Sequence, residues 1–395
     1  MTIDTISRGA RRAFPLRRAG LALVVAAATL SSGCSLWNGS LWGGSSKPKP
    51  AELGPVVPVI GVRQAWTSKI GNIGRLPLDV HVNGTTVTVA SADGTVAAID
   101  ARTGGDLWRA TIGESLSAGV GSDGKWTAVV TQSNQLVVLA QGREAWRQPL
   151  TAQTYTAPLV AGNRVFVLGG DRSLTAFDAA GGTKLWNQQR PGEPLVLRQD
   201  GLLTAVGDTL IAGMSGRMVG FNPDNGTVRW EAPLASPRGT NDVERLVELL
   251  GRVSREGDNV CARAYLATVG CVDTSRGTVA WTRPASGTEG IHGDGTMLFG
   301  TESNGTVIAW KRSDGAQAWS LDKLRYRRLT APLLLGRSVV VGDDSGLVHL
   351  LSRDDGAFLN RLTTDGSGVA AAPVAAGETL VVVTRNGGIY GFRPE

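Results

Sequence analysis

The stretch ADGTVAAIDARTGGDLW, residues 92–108, recurs with variations along a chain of 395 residues. Close copies are GDRSLTAFDAAGGTKLW at 170–186 and SNGTVIAWKRSDGAQAW at 303–319. The copies return about every forty residues, and a fixed period of that length indicates one supersecondary unit repeated many times. The repeat therefore decides the fold class.

Each repeat carries the signals of four short antiparallel strands. A turn such as Asp93-Gly94 is followed by alternating apolar residues, by a second turn such as Thr103-Gly104, and by a short strand that ends on Trp. Upstream of each copy lies another pair of strands joined by a Gly turn, as in TAPLVAGNRVFVLG at 156–169. Four-stranded units of this kind are the blades of a β-propeller, so the sequence predicts an all-β fold.

Tryptophan ends most repeats, so the tryptophans in register indicate the number of blades. Phe358-Leu359 take the eighth position, and the last strands, 380–383 and 387–392, have no Trp strand after them. We expect the N-terminal strand at 61–69 to complete that blade and close a ring of eight blades, since closure hides the edges of an open array. Seven tryptophans fall in register, at spacings of 38 to 51 residues: Trp66, Trp108, Trp146, Trp186, Trp230, Trp281 and Trp319.

These seven tryptophans are predicted to dock neighbouring blades rather than to stack on a ligand. A buried indole removes roughly 150–250 Å² from water and contributes several kcal/mol to packing. An indole wedged between blades therefore explains the recurrence of Trp without any binding site.

The first 33 residues have the features of an export signal. Five arginines precede the apolar run LALVVAAATL at 21–30, which is too short to span a bilayer comfortably. Small residues, Ser32 and Gly33, then precede Cys34, and this arrangement resembles the lipobox of bacterial lipoproteins, in which the Cys is lipid-modified and becomes the new N-terminus. Ser31 stands where that motif usually has Leu, and a simple cleaved signal is the alternative.

Residues 34–60 are rich in Gly, Ser and Pro and predict a flexible, lipidated tether, which leaves 61–395 for the propeller. Ser35 after the lipobox Cys favours sorting to the outer membrane in such lipoproteins, so we expect a lipid-anchored protein that faces the periplasm. The formal charge is +6, but residues 1–33 contain five Arg and one Asp, so the remainder carries only +2. That small excess argues against a nucleic-acid partner.

An oxidising compartment permits a disulfide between the two remaining cysteines, Cys261 and Cys271. If the intervening turn is centred near Leu266, the two residues lie opposite each other on paired strands and can bond. A register shift of one residue places them on opposite faces of the sheet instead. The sequence leaves both arrangements open.

Few residues suggest catalysis. The run 119–124 matches G-x-G-x-x-G but leads into a strand rather than a helix, so it indicates a hairpin turn and not a phosphate site. KLRYRR at 323–328 is either an exposed loop between blades or a site for an anion. We predict no catalytic residue, no metal and no cofactor. The histidines are not in metal-ligand spacing, and the last suits a structural role in a strand: His81, His292 and His349.

The phrase A-x-D-G-x-V-x-A-I-D-x-x-T-G-x-x-x-W resembles the propeller repeat of pyrroloquinoline-quinone (PQQ) dehydrogenases. Those enzymes hold a quinone and Ca²⁺ over the axis and often carry an adjacent Cys-Cys pair. This chain has no Cys-Cys pair and is short for such an enzyme. A periplasmic PQQ-dependent dehydrogenase is therefore the alternative interpretation.

The whole chain is more similar to the BamB family, the lipoprotein propellers of the β-barrel assembly machinery. The similarity extends over the lipobox, the tether and eight blades, and it is close at 194–201, 238–246 and 325–351. It implies a non-enzymatic scaffold that binds BamA, the barrel-inserting subunit, and assists the folding and insertion of outer-membrane proteins. It also allows unfolded outer-membrane proteins as clients.

Carried over by position, the resemblance implies BamA contacts at Leu195, Leu197 and Arg198, with Glu248 as an acidic residue nearby. The family often has a run of Asp where residues 248–250 read ELL here. Independently, the longest interval between repeat tryptophans, 51 residues, lies in this part of the chain, and insertions in repeat proteins map to loops on one face. An ordinary inter-blade strand with inward leucines is the alternative.

Overall fold

The middle strands of each repeat are buried on both faces. The four central residues of Thr95–Asp100 are all buried, because neighbouring sheets pack against both sides of the strand. The outer strand Asp106–Thr111 alternates between exposed and half-buried residues instead. The computed structural model describes residues 48–191, 195–237, 240–241 and 246–395, and all regular elements in these ranges are β-strands.

Each blade is a four-stranded antiparallel sheet. The first strand of the chain, β1 (Val62–Lys69), belongs to the last blade. Blades 1 to 4 follow in chain order, with four strands each: β2 (His81–Asn83), β3 (Thr86–Ala90), β4 (Thr95–Asp100), β5 (Asp106–Thr111); β6 (Leu116–Ser122), β7 (Trp126–Thr131), β8 (Gln135–Ala140), β9 (Arg143–Pro149); β10 (Leu159–Ala161), β11 (Arg164–Leu168), β12 (Ser173–Asp178), β13 (Lys184–Gln189); β14 (Leu203–Val206), β15 (Thr209–Met214), β16 (Arg217–Phe221), β17 (Val228–Pro233).

The second half of the ring repeats this pattern. The first strands of neighbouring blades contact one another around the axis, as β2 contacts β6 and β10 contacts β14. Blades 5 to 8 are built from the remaining strands: β18 (Ser254–Glu256), β19 (Asn259–Ala264), β20 (Thr268–Asp273), β21 (Thr278–Pro284); β22 (Ile291–Gly293), β23 (Met297–Thr301), β24 (Val307–Lys311), β25 (Gln317–Leu321); β26 (Leu333–Leu335), β27 (Ser338–Gly342), β28 (Leu347–Ser352), β29 (Phe358–Thr363); β30 (Val374–Ala376), β31 (Thr379–Val383), β32 (Gly388–Pro394).

The two ends of the chain meet in blade 8. Strand β1 pairs antiparallel with β32, with Lys69 opposite Gly388, and the sheet order is β1-β32-β31-β30. The core lies between blades, and one buried cluster joins Val87 of blade 1, Val137 of blade 2 and Val381 of blade 8. The predicted eight-bladed β-propeller, closed by its N-terminal strand, is confirmed.

Seven junctions between blades share one contact. An indole on the outermost strand of a blade lies against a glycine in the last turn of the next blade, where φ is between 66° and 80° and a Cβ would come within about 3.0 Å of the ring. Five of the indoles also donate their N–H to a carbonyl of that blade, as Trp66 does to Ala101 at 2.8 Å. The pairs are Trp66–Gly104, Trp108–Gly142, Trp146–Gly182, Trp186–Gly226, Trp230–Gly277, Trp281–Gly315 and Trp319–Gly356.

The eighth junction differs from the sequence-based expectation. We expected Phe358-Leu359 at the Trp position, but the register pairs Asn360 with Leu350, as Trp108 pairs with Ala98. The spacing agrees with the register, because Asn360 follows Gly356 by four residues, as Trp108 follows Gly104. The equivalent of the indole is therefore an amide.

Cys261 and Cys271 lie directly opposite each other on β19 and β20, and their sulfur atoms are bonded. The turn between the strands is centred on Leu266, so the register is the one that permits the bond. Both residues are fully buried, which places the disulfide in the core between blades 5 and 6.

The compact unit begins at Lys49, earlier than the boundary at residue 61 expected from the repeat. Part of the segment expected to be a free tether lies on the ring, since the Ala51 N–H donates to Arg325 and the Val59 N–H to Leu359, both at 2.8 Å. The signal at 1–33 and Cys34 lie outside the described residues. Within the described ranges there is no apolar helix of membrane-spanning length.

Gly226→Ala tests the indole contact. A Cβ at Gly226 would lie 2.6 Å from the Trp186 ring, whereas the control Gly207→Ala has a similar positive φ and no atom within 4 Å. We expect the control to lose about 1 kcal/mol of unfolding free energy from backbone strain and Gly226→Ala to lose a further 1–3 kcal/mol from overpacking. Urea unfolding of both variants measures this, and equal losses would contradict the role of the contact.

Candidate partner-binding rim

All four sequence-predicted contact residues lie at one end of the ring. In an antiparallel blade, the connection from its last strand to the next blade and the turn between its second and third strands lie at the same end, which we call the crossover rim. Leu195, Leu197 and Arg198 are in the connection between β13 and β14, and Glu248 is in the connection between β17 and β18. The structure therefore brings them to one face.

Leu195, Leu197 and Arg198, which we call the Leu-Arg patch, combine apolar and cationic surface. Leu195 is 41% exposed, Leu197 is half-buried and Arg198 is exposed. The Arg198 guanidinium lies over the ring of Tyr155, with 5.9 Å between its carbon and the ring centroid. That stacking holds the cation at the rim and leaves its donors available to a partner.

Glu248 does not present its charge to solvent. Its carboxylate accepts a hydrogen bond from Arg172 at 3.1 Å, and the two side chains are only 15% and 6% exposed. Burial raises the pKa of Glu248, and the Arg172 guanidinium opposes that rise. Glu248 therefore stabilises the rim through its ion pair with Arg172.

Arg172 belongs to the same candidate site and was not predicted from the sequence. It lies in the turn between β11 and β12 with φ of 63°, and its guanidinium also donates to the Leu195 carbonyl at 3.4 Å. One buried side chain thus joins the patch to the Glu248 connection. The signal in the sequence is an Arg at a turn position where other repeats have Gly, as at Gly94 and Gly305.

Backbone hydrogen bonds tie the two connections together. The Leu202 N–H donates to the Leu249 carbonyl at 3.0 Å, and the Gly251 N–H donates to the Asp200 carbonyl at the same distance. The Leu250 N–H donates in turn to Arg263 of blade 5. The patch is therefore supported by a fixed backbone, which lowers the entropy lost when a partner binds.

An apolar groove continues from the patch toward blade 5. It measures about 1070 Å³ and is lined by residues that include Leu197, Pro233, Leu266 and Pro284. Leu266 is 48% exposed and has φ of 51°, a conformation unusual for a bulky residue. The patch and the groove together form a continuous surface on the crossover rim.

Half-buried charged groups line the axis of the ring. The Asp200 carboxylate accepts a hydrogen bond from the Ala157 N–H at 2.8 Å, and burial, aided by the charge of Asp79, raises its pKa well above the usual value. Burial also lowers the pKa of Arg252 and of His81, against the attraction of Asp79. These groups line the polar interior of the ring, and they do not form a metal-ligand cluster.

The axial residues do not fit a quinone–calcium site. The cavity around Asp79, His81 and Asp200 measures about 60 Å³, whereas cofactor pockets measure hundreds of Å³. The part of the chain that the structure describes contains no group of three or more His, Cys, Asp or Glu side chains placed to hold a metal ion. A site for PQQ would need both the volume and the ligands.

Two axial groups have opposite pKa shifts. Burial, together with the charges of Arg252 and Arg312, lowers the pKa of His292 to about 4. Its Nδ1 accepts a hydrogen bond from the Leu334 N–H at 3.0 Å, as a neutral ring does. Burial raises the pKa of Glu289 to about 7, against the charges of Arg263, Arg328 and Arg385.

These shifts predict opposite pH dependences. Relative to His292→Asn, which keeps an acceptor for Leu334, the parent should lose stability as pH falls from 6.5 through about 4, because folding excludes the proton from His292. Relative to Glu289→Gln, the parent should gain stability as pH falls from about 7 to 4.5. Each difference in unfolding free energy reaches about 3 kcal/mol. Urea titrations at several pH values measure them, and parallel curves would refute the assignment.

Solved structures share this fold. BamB from Moraxella catarrhalis has a TM-score of 0.76 at 21% identity, with 84% of this chain and 99% of that chain covered. Quinohemoprotein alcohol dehydrogenase from Comamonas testosteroni has a TM-score of 0.64 at 14% identity, with 85% and 78% covered. At these identities the likeness concerns the propeller fold alone.

Sequence comparison identifies the family. Residues 92–321 match the family model described as outer membrane protein assembly factor BamB. The protein of that name from Burkholderia pseudomallei is 40% identical over 348 residues, which are 87% of this chain and 91% of that protein. Its counterpart from Bordetella pertussis is 34% identical over 375 residues, or 94% and 96%. The chain therefore belongs to the BamB family of outer membrane protein assembly factors.

Proposed function

We propose that this chain is a non-enzymatic scaffold that binds the periplasmic domains of BamA through the crossover rim and so assists the folding and insertion of outer-membrane proteins. The observation that carries the proposal is the Leu-Arg patch, which is exposed at the rim and fixed from beneath by Arg172 and Glu248. A preorganised patch with an apolar anchor and a guanidinium fits a stable protein partner.

The patch and the groove suit different parts of one partner surface. The guanidinium of Arg198 offers several donors in a fixed plane, which favours a carboxylate or backbone carbonyls on BamA. Leu195 and the groove beside Leu197 accept apolar side chains. Glu248 contributes by holding Arg172 in place, which is a different role from the direct acidic contact expected from the sequence.

The proposed attachment to the membrane rests on the sequence. We propose that residues 1–33 are the export signal and that Cys34 is the lipid-modified residue, so that the protein is anchored at the outer membrane and faces the periplasm. The acyl chains of a modified Cys bind a bilayer firmly, whereas a single chain is marginal. Exposed outer strands could in addition pair with extended clients by β-augmentation, which makes unfolded outer-membrane proteins candidate clients.

Replacing the patch tests the partner. We expect the triple variant Leu195→Ala, Leu197→Ala, Arg198→Ala to recover at least tenfold less BamA than the parent from detergent-solubilised membranes, since an anchor and a charge-assisted contact are lost together. The matched control Leu107→Ala, Leu185→Ala, Arg143→Ala removes exposed residues of the same types at the opposite rim. Equal recovery of BamA with both triple variants would remove the site assignment.

Addition of PQQ and Ca²⁺ tests the dehydrogenase alternative. Because the axial cavity is small and the described residues offer no metal-ligand group, we expect no dye-linked oxidation of alcohols or sugars above the background without protein. A rate that saturates with PQQ and needs Ca²⁺ would establish the alternative and contradict a purely structural role.

A further inference from the structure

The junction between blades 7 and 8 is sealed without an indole. Asn360 occupies the Trp position, is 7% exposed, and donates from Nδ2 to the Ile60 carbonyl at 2.9 Å. At five of the other junctions an indole N–H makes the corresponding bond to a turn of the next blade, as Trp319 does to Arg353 at 2.8 Å. Blade 8 has no such turn, because its third and fourth strands come from opposite ends of the chain. The segment before β1 supplies the acceptor instead.

Residues 51–60, which we call the strap, continue along blade 7. The Val59 N–H donates to the Leu359 carbonyl at 2.8 Å, next to Asn360. Ile60 packs on the apolar cluster between blades 7 and 8, and Leu53 packs on the cluster between blades 6 and 7. The strap therefore covers the outer side of two junctions.

Two arginines hold the other end of the strap. Arg361 donates to the Gly54 carbonyl at 3.0 Å, and Arg327 donates to the Ala51 carbonyl at 3.1 Å. The Ala51 N–H donates back to Arg325 at 2.8 Å. Ala51 is thus bonded through both its N–H and its carbonyl to the connection between β25 and β26, which lies on the crossover rim.

A buried His–Asp pair orients both arginines. Arg327 donates to Asp343 at 3.0 Å, and Arg361 donates to Nδ1 of His349 at 3.4 Å. His349 Nε2 lies 3.1 Å from the same Asp343 oxygen, and both side chains are fully buried. Since Nδ1 accepts, Nε2 carries the proton, which is the neutral form that burial favours by lowering the pKa of His349. The structural role expected for His349 thus extends to the strap.

We propose that the strap takes the place of the eighth indole, seals the closing junction of the ring, and fixes the point from which the lipid tether leaves it. The tether then leaves at Ala51 on the crossover rim, the rim that carries the Leu-Arg patch. Sixteen residues, 35–50, lie between the proposed lipid-bearing Cys34 and Ala51, and a chain of that length spans at most about 55 Å. This second consequence rests on the proposed lipidation of Cys34; the sealing of the junction does not.

Val59→Pro in the full chain tests the seal by hydrogen exchange. Proline removes the N–H that bonds to Leu359, and the side chain is 63% exposed, so packing changes little. The matched control is Val57→Pro, which is 81% exposed, also adjoins a proline, and makes none of the described backbone hydrogen bonds through its N–H. We expect exchange in β29 and β1 to be about tenfold faster in Val59→Pro and unchanged in Val57→Pro.

The remaining outcomes overturn the proposal. Parent-like exchange in both variants means that the strap does not seal the junction, and equal acceleration in both means that any proline in this segment loosens it. An unprotected Ala51 amide in the parent would remove the fixed exit point. If Val59→Pro fails to fold, Asn360→Ala replaces it as the test variant, because it removes the side-chain hydrogen bond to Ile60. These readouts involve neither BamA nor lipid, so they stand or fall separately from the proposed function.

Discussion

A tryptophan side chain and a left-handed glycine of the next blade make the contact on which this ring depends. The glycine serves two needs at once, because its φ near 70° makes the turn and its missing Cβ leaves room for the indole. The contact fixes how a blade docks but not the chain length between docking points. The chain length between docking points therefore varies, and the longest interval, between Trp230 and Gly277, contains the crossover connection from β17 to β18.

The repeat made the fold predictable because each copy carries its own turns, strand alternation and Trp. Blade number, strand order and closure by β1 followed from local pattern alone. The eighth junction was not predictable in this way. The role of Asn360 depends on Ile60, 300 positions earlier in the chain, and a Gly- and Pro-rich segment gives no sign that it will dock. A contact between distant residues that occurs at only one junction leaves no periodic signal in the sequence.

The candidate site also combines features that the sequence predicts with features that it does not. Leu195, Leu197 and Arg198 could be assigned to one rim from sequence, since they lie in a connection between repeats. The pairing of Glu248 with Arg172, 76 positions away, could not, because nothing in either local sequence points to the other. Knowing that pair changes the interpretation of Glu248 from a contact to a support. Glu248 stabilises the rim, and in the proposed function the leucines and Arg198 make the contact with the partner.

A ring of similar blades has no unique place for a partner or an anchor, so function has to come from departures from the repeat. This ring has two such departures at the crossover rim. The long connection between β17 and β18 supports the Leu-Arg patch beside blade 4, and the strap meets the rim at the connection between β25 and β26, beside blade 7. Both reach the crossover rim, three blades apart. The same rim would then carry the partner surface and the tether exit, so binding and anchoring act on one face of a rigid body.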